Sequence, residues 1–190
     1  MLCGIDYSNA EIGRTSGHKG AFENCHTDVV MVASINKTTG QLSLVSIPRD
    51  TVTYVPGVKG IYKLNAAFNV AYDERMGVRQ TCEAVSWLLG GVPIHNYLVV
   101  DMAALVAMVD ALGGVEVEIT SAEAGVINAG VAKEYPRAEV TRVKAGKAQL
   151  CGVQALSYAR IRKLDSDFQR TSRQQAVIAA MLSQMRTLGR

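Results

Sequence analysis

Apolar residues along this chain fall into short blocks separated by turn formers, and the blocks come in two periods. Residues 29–35 (VVMVASI) and 41–47 (QLSLVSI) are short, rich in β-branched residues and bounded by polar clusters, which predicts strands. Asn36-Lys37-Thr38-Thr39-Gly40 between them has turn composition, so the two strands form a hairpin. Pro48 closes the second strand, because proline has no N–H to give to a ladder. Residues 65–75 and 79–89 carry helical spacing, with Asn65 as the N-cap of the first. His95 to Asp101 reads as a further strand, and Met102 to Leu112 as a mostly buried helix ended by Gly113-Gly114. Val115 to Ile119 (VEVEI) alternates apolar and acidic positions, the mark of a half-exposed strand. Residues 120–146 show no clear period and are expected to form a long surface loop, followed by helices over 153–163 and 169–187. Strands alternating with helices predict an α/β fold, a layered α-β-α domain with a central mixed sheet, and one domain over residues 1–190.

Composition narrows the class. With 48% apolar and 19% charged residues over 190 positions, the chain buries a core of its own and is neither disordered nor fibrous. The longest stretch free of Asp, Glu, Lys and Arg, from Ala84 to Val100, is broken by Gly90, Gly91, Pro93, His95 and Asn96, and makes a poor membrane span. Met1 to Asp6 has neither a basic start nor a long apolar run, so no signal peptide is expected there. If the protein works at a membrane, its anchor is expected outside this sequence. Four cysteines, Cys3, Cys25, Cys82 and Cys151, include no closely spaced pair, which argues against structural zinc.

Charge is distributed unevenly. Residues 1–132 hold 8 basic against 13 acidic residues, a net −5, and residues 133–190 hold 12 against 4, a net +8. A basic C-terminal third calls for an anionic partner or, on composition alone, forms a solvated helix face.

Four segments carry candidate chemistry. Gly4-Ile5-Asp6 and His26-Thr27-Asp28 place Asp6 and Asp28 beside strands, where two carboxylates can share one hard cation such as Mg2+. On spacing alone they read equally as turn and cap residues. In Ser46-Ile47-Pro48-Arg49-Asp50-Thr51 an arginine projects from a strand end, where α/β domains place ligands. The guanidinium of Arg49 can grip a phosphate through two bonds, or simply pair with Asp50. Lys63, before Asn65-Ala66-Ala67-Phe68, sits at a helix start, where a cation opposes the dipole unless an anion shares the site. The fourth segment, 158–175, gathers Arg160, Arg162, Lys163, Arg170 and Arg173 against Asp165 and Asp167. Arg170, Arg173 and Gln174 share one helical face, and the apolar Ala176, Val177, Ala179, Ala180 and Leu182 that follow put that face at the edge of a core. Only Tyr158 and Phe168 lie near these cations, so there is no aromatic platform for bases and no nucleic acid is expected.

Taken together, the GID start, the TD strand, SIPRDT, KLNAAF, VVDMAALVAMVDALGGVEVEI, QALSYARIR and DFQRTSRQQAVI resemble the LytR–CpsA–Psr family of cell-wall glycopolymer phosphotransferases, from about Gly4 to about Ile178. The resemblance implies an extracytoplasmic catalytic domain on the outer face of the cell membrane, behind a membrane helix. It implies an apolar pocket between sheet and helices that holds a polyprenyl-pyrophosphate lipid, and transfer of a glycopolymer onto peptidoglycan. It further implies that Asp6 and Asp28 hold Mg2+, and that Arg49, Lys63, Arg160 and Arg162 bind the pyrophosphate. Gln174 completes that set, with Asp167 orienting Arg170 or Arg162. Phosphoryl transfer asks for charge neutralisation and positioning rather than a covalent nucleophile, and no catalytic triad is visible. The general base stays open between Asp28 and Asp50. A pyrophosphatase using water as acceptor would employ the same residues, and a non-catalytic module for anionic polymers would keep the cations alone. His26 and Thr27 stand where the family usually has Arg and Ser, the loop from Tyr7 to Cys25 is longer than expected, and Cys151 takes a place usual for a polar cap. An extracytoplasmic setting favours disulfides, with Cys3–Cys25 and Cys82–Cys151 the expected pairs. The run Met102 to Val109 reads as core packing or, through its small alanines, as the wall of a lipid site.

Overall fold

The hairpin forms where the apolar blocks place it. In a computed structural model, which describes residues 1–5, 27–69, 74–162, 164 and 166–188, β1 (Leu2–Ile5), β2 (Thr27–Ile35), β3 (Leu42–Ile47) and β6 (Leu98–Val100) form one sheet in the order β3-β2-β1-β6. β1 and β2, and β2 and β3, run antiparallel, while β1 and β6 run parallel, so the sheet is mixed as expected. Asn36 shapes the hairpin turn by accepting the N–H groups of Thr38 and Thr39 at its side-chain oxygen, and Gly40 closes it at φ 69°. Val30 and Met31, adjacent in β2 and therefore on opposite faces, are both buried, so the sheet is covered on both sides.

The chain divides into two compact units, Met1–Met102 and Ala103–Arg190. In the first, β4 (Val52–Tyr54) and β5 (Ile61–Lys63) form a short ribbon and α1 (Glu74–Leu88) a helix. The core gathers Cys3, Val30, Val55, Leu64, Ala84 and Val85. The second unit contains α2 (Met102–Ala111), whose first residue ends the first unit, then β7 (Val115–Ile119) paired with β8 (Gly146–Leu150), α3 (Ser121–Glu134), α4 (Gly152–Ala159) and α5 (Asp167–Leu188). Its core is built on Val109, Val115, Ile127, Leu150 and Val177. No helix among the described residues is long and apolar enough to cross a membrane.

Several expectations are corrected. Where a helix is expected from 65, the described residues hold a single 3-10 turn, Leu64–Ala66, docked through the Leu64 and Asn65 N–H groups on the Thr51 and Arg49 carbonyls, and Asn65 lies inside that turn instead of capping it. Residues 70–73 lie outside the described set, and α1 begins at Glu74 rather than at 79. The strand expected over 95–101 shrinks to three residues on the sheet edge. The loop expected over 120–146 is largely regular: it holds α3 and the start of β8. Thr120 and Glu123 form a reciprocal capping box there, a T-x-x-E signal offset in the pattern by Gly125 and Gly130. α2 buries only Val109 fully, with Ala103, Ala104 and Ala107 exposed, so it is less buried than its composition suggests. α4 ends at Ala159, four residues short of expectation, and α5 starts two residues early.

Neither expected disulfide forms, since Cys3, Cys82 and Cys151 are free thiols. Burial, with the neighbouring Cys82 thiol adding to it, pushes Cys3 up to about 12. Cys151 does occupy the N-cap of α4, and two side-chain oxygens serve the helix start: the Cys151 N–H donates to Gln154 Oε1 at 3.1 Å and the Gly152 N–H to Asp110 Oδ1 of α2 at 2.7 Å. A Cβ on Gly152 would lie 2.3 Å from the Val106 carbonyl oxygen, which is why α4 can approach α2 only with glycine at that position.

Candidate functional site

In the first unit a register slip builds the site. β1 and β2 pair in constant register from Leu2–Met31 to Gly4–Val29, after which Ile5 faces Thr27 and not Asp28. Asp28 is the extra residue of a β-bulge, a device that takes a side chain out of the ladder and re-aims it. Gly4 belongs to the same device, since a Cβ there would approach Val29 Cβ to 3.1 Å. The freed Asp28 carboxylate accepts a hydrogen bond from Arg49 Nη1.

Arg49 sits in the turn that follows β3, closed by Thr51 N–H donating to the Pro48 carbonyl at 3.0 Å. The KLN segment docks its backbone on this turn and so brings Lys63 alongside: Lys63 Nζ donates to Asp50 Oδ1 at 2.8 Å, while Arg49 Nε lies 3.5 Å from Asp50 Oδ2. The result is an alternating row, Asp28–Arg49–Asp50–Lys63. Its members are from 29% to 60% exposed, so each pair is worth at most about 1 kcal/mol and the row is a weak structural device. Half-exposed cations held beside carboxylates are suited to exchanging those carboxylates for phosphate oxygens.

The second unit carries the remaining predicted cations. Arg160 forms the C-cap of α4 and donates to Glu134 Oε2 at 3.0 Å. Arg162 is exposed and makes no ion pair with a described residue, and Ile161 between them is buried. Arg170 is buried on α5 and Gln174 half-buried. Arg173, on the same helix, is buried in a different role: its Nε donates to Glu123 Oε1 at 2.6 Å and its Nη1 to the Ile161 carbonyl at 3.1 Å. Burial alone would raise the Glu123 pKa, but the bonds from Arg173 and from the Thr120 N–H and hydroxyl outweigh it and hold the carboxyl below its usual range. Tyr158 is pushed up by burial and by the Glu123 charge.

Asp6, His26, Cys25, Lys163, Asp165 and the loop from Tyr7 lie outside the described residues, as does the side chain of Asp167, whose backbone begins α5. Sequence names Asp50 as a partner of Arg49 and a candidate base, but not as a link to Lys63, and it does not single out Glu123 at all. Asp50 bridges Arg49 and Lys63, a role its place beside Arg49 hints at. Glu123 is distant in sequence from every basic motif, and the capping box was its one available signal. Among the described residues no cluster of three or more metal-ligating side chains exists. Asp28 nonetheless offers the donor chemistry that Mg2+ takes, a hard carboxylate oxygen, with its Oδ2 outside the bond to Arg49.

The LytR_cpsA_psr family model matches residues 1–190. A polyisoprenyl-teichoic acid–peptidoglycan teichoic acid transferase, TagU, of Enterococcus faecalis is 32% identical over 179 residues, 93% of this chain and 53% of that protein. A probable cell wall biosynthesis protein, LcpB, of Corynebacterium glutamicum is 36% identical over 158 residues, 83% of this chain and 34% of its own length. Among solved structures, TagT bound to LIIa-WTA superposes with a TM-score of 0.73 at 27% identity, covering 97% of this chain and 61% of that one. The chain spans about half the length, or less, of the curated relatives it matches.

Proposed function

The chain belongs to the LytR–CpsA–Psr family, and from that premise we propose that it is a phosphotransferase that moves a glycopolymer from a polyprenyl-pyrophosphate carrier onto a peptidoglycan hydroxyl and releases polyprenyl phosphate. The observation that carries the proposal is the Asp28–Arg49–Asp50–Lys63 row, in which half-exposed cations are held ready by carboxylates on a bulged strand and a strand-end turn. Names of relatives support the substrate class, since TagU is described as acting on polyisoprenyl-teichoic acid and peptidoglycan.

In this reading the acceptor hydroxyl attacks the sugar-linked phosphorus. The bond to the bridging oxygen breaks, and polyprenyl phosphate leaves with the electron pair. Arg49 and Lys63, and in the second unit Arg160, Arg162, Arg170 and Gln174, bind phosphate oxygens and neutralise charge that grows on the leaving group. Asp28 or Asp50 takes the hydroxyl proton. Mg2+ would be held by Asp28, with Asp6 as second ligand, and supplies further neutralisation of phosphate charge when bound. The work is done at the extracytoplasmic face of the cell membrane, where the carrier presents its head group to the wall.

The test is an incubation of the chain with a radiolabelled polyprenyl-pyrophosphate saccharide, with and without peptidoglycan. Label attached to peptidoglycan, lost on chelation and restored by Mg2+, is expected. Free saccharide phosphate formed at the same rate without acceptor would establish a pyrophosphatase instead, and no turnover with intact binding would establish a binding module.

A further inference from the structure

Arg173 belongs to the basic segment but is not arranged as an anion binder. Its side chain is 5% exposed and two of its donors are committed, one to Glu123 and one to the Ile161 carbonyl. Ile161 is the residue between Arg160 and Arg162. Its side chain is in the core, its N–H reaches the Tyr158 carbonyl only at a long 3.3 Å, and both flanking arginines are exposed. The Ile161 carbonyl belongs to the peptide that joins Ile161 to Arg162, so its direction bears on where the Arg162 side chain points, whereas Arg160 is already held as the C-cap of α4 and by Glu134. Glu123 in turn is fixed from two sides, by Arg173 and by the N–H and hydroxyl of Thr120 at 2.8 and 2.9 Å.

We propose that Arg173 is a positioning residue: clamped by Glu123, it holds the Ile161 carbonyl and so sets the direction in which Arg162 offers its guanidinium group to the carrier's phosphates. This rests on the assignment of Arg162 to phosphate made above. The planar fork of an arginine holds a carboxylate and a carbonyl in a fixed relation through two separate nitrogens, whereas the donors of an ammonium all rotate about one nitrogen. Misplacing a binding group by about 1 Å can cost on the order of a hundredfold in rate.

The experiment measures binding of farnesyl pyrophosphate to the full 190-residue chain at 25 °C, for wild type, Arg162→Ala, Arg173→Lys and the double variant, with circular dichroism to establish folding. Arg162→Ala is expected to weaken binding at least about tenfold. Folded Arg173→Lys is expected to weaken it about tenfold too, and Arg162→Ala made in that background should add less than about threefold, because the presentation it would remove is already lost. Should Arg173→Lys fail to fold, Glu123→Gln, which keeps size and an acceptor oxygen, is expected to give the same pattern. A folded Arg173→Lys or Glu123→Gln that binds like wild type, or losses that multiply in full, would overturn the positioning role and leave a purely structural one. A wild type that ignores the probe, or an Arg162→Ala that binds it unchanged, would remove the phosphate assignment itself, and the two failures are read on different proteins.

Discussion

Arg49 meets Asp28 with 30% and 29% of the two side chains exposed, whereas Arg173 meets Glu123 with 5% and 12% exposed. The chemical pair is the same and the physics differs. Around Arg49 water screens the attraction, so breaking the pair costs little and a competing phosphate can take the carboxylate's place. Around Arg173 both partners have left water, and either one alone would be a buried uncompensated charge. The exposed pair is suited to exchanging ligands and the buried pair to holding backbone. Sequence presents both arginines alike, as members of basic motifs, and only burial separates them.

Removing the buried partner should have the largest effect on the fold. Glu123→Ala is expected to lower the unfolding free energy by about 3–5 kcal/mol, against at most about 1 kcal/mol for Asp28→Ala, both read by urea denaturation. Equal losses would erase the contrast. Gly152→Ala follows, because its Cβ would meet the Val106 carbonyl at 2.3 Å, and a loss of about 1–3 kcal/mol is expected with no direct change at any phosphate-binding group. Next comes the exposed pair in its own currency: Arg49→Ala should lower turnover at least about tenfold, roughly 1.4 kcal/mol in the barrier, while the melting temperature hardly moves.

The smallest effect is one of pH. The Glu123 carboxyl is depressed in the folded state, so the stability it contributes is fully present above the ordinary value of 4.5 and is lost as pH falls through and below it. Glu123→Gln should be less stable near neutrality and lose less on acidification, so the two stability curves should draw together at low pH. Parallel curves would mean that Glu123 is not the titrating group.

Much of this was legible in the chain and some was not. The β2–β3 hairpin announced itself through two β-branched blocks around a turn, and VEVEI through strict alternation, because both signals are local. α3 was hidden by its glycines and mixed polarity, though Thr120 and Glu123 marked its start. The placing of the 3-10 turn at Leu64 could not be read, since it docks on carbonyls of Arg49 and Thr51 that belong to the turn after β3. Within the site, Arg49 and Lys63 stood out as cations at element ends. The bulge that frees Asp28 is a property of strand pairing, and the clamp between Glu123 and Arg173 joins residues 50 positions apart. The expected disulfides failed for a related reason: free Cys3 and Cys82 behave as small apolar core residues, and thiol spacing alone says nothing of that.

Release of polyprenyl phosphate in a single turnover, from a polyprenyl-pyrophosphate saccharide with peptidoglycan present, compares wild type directly with an Arg49→Ala chain matched for folding. Prompt release by the wild type, slowed at least about tenfold in the variant, is the predicted result. Equal release by both, or none by either in the presence of Mg2+, would contradict it.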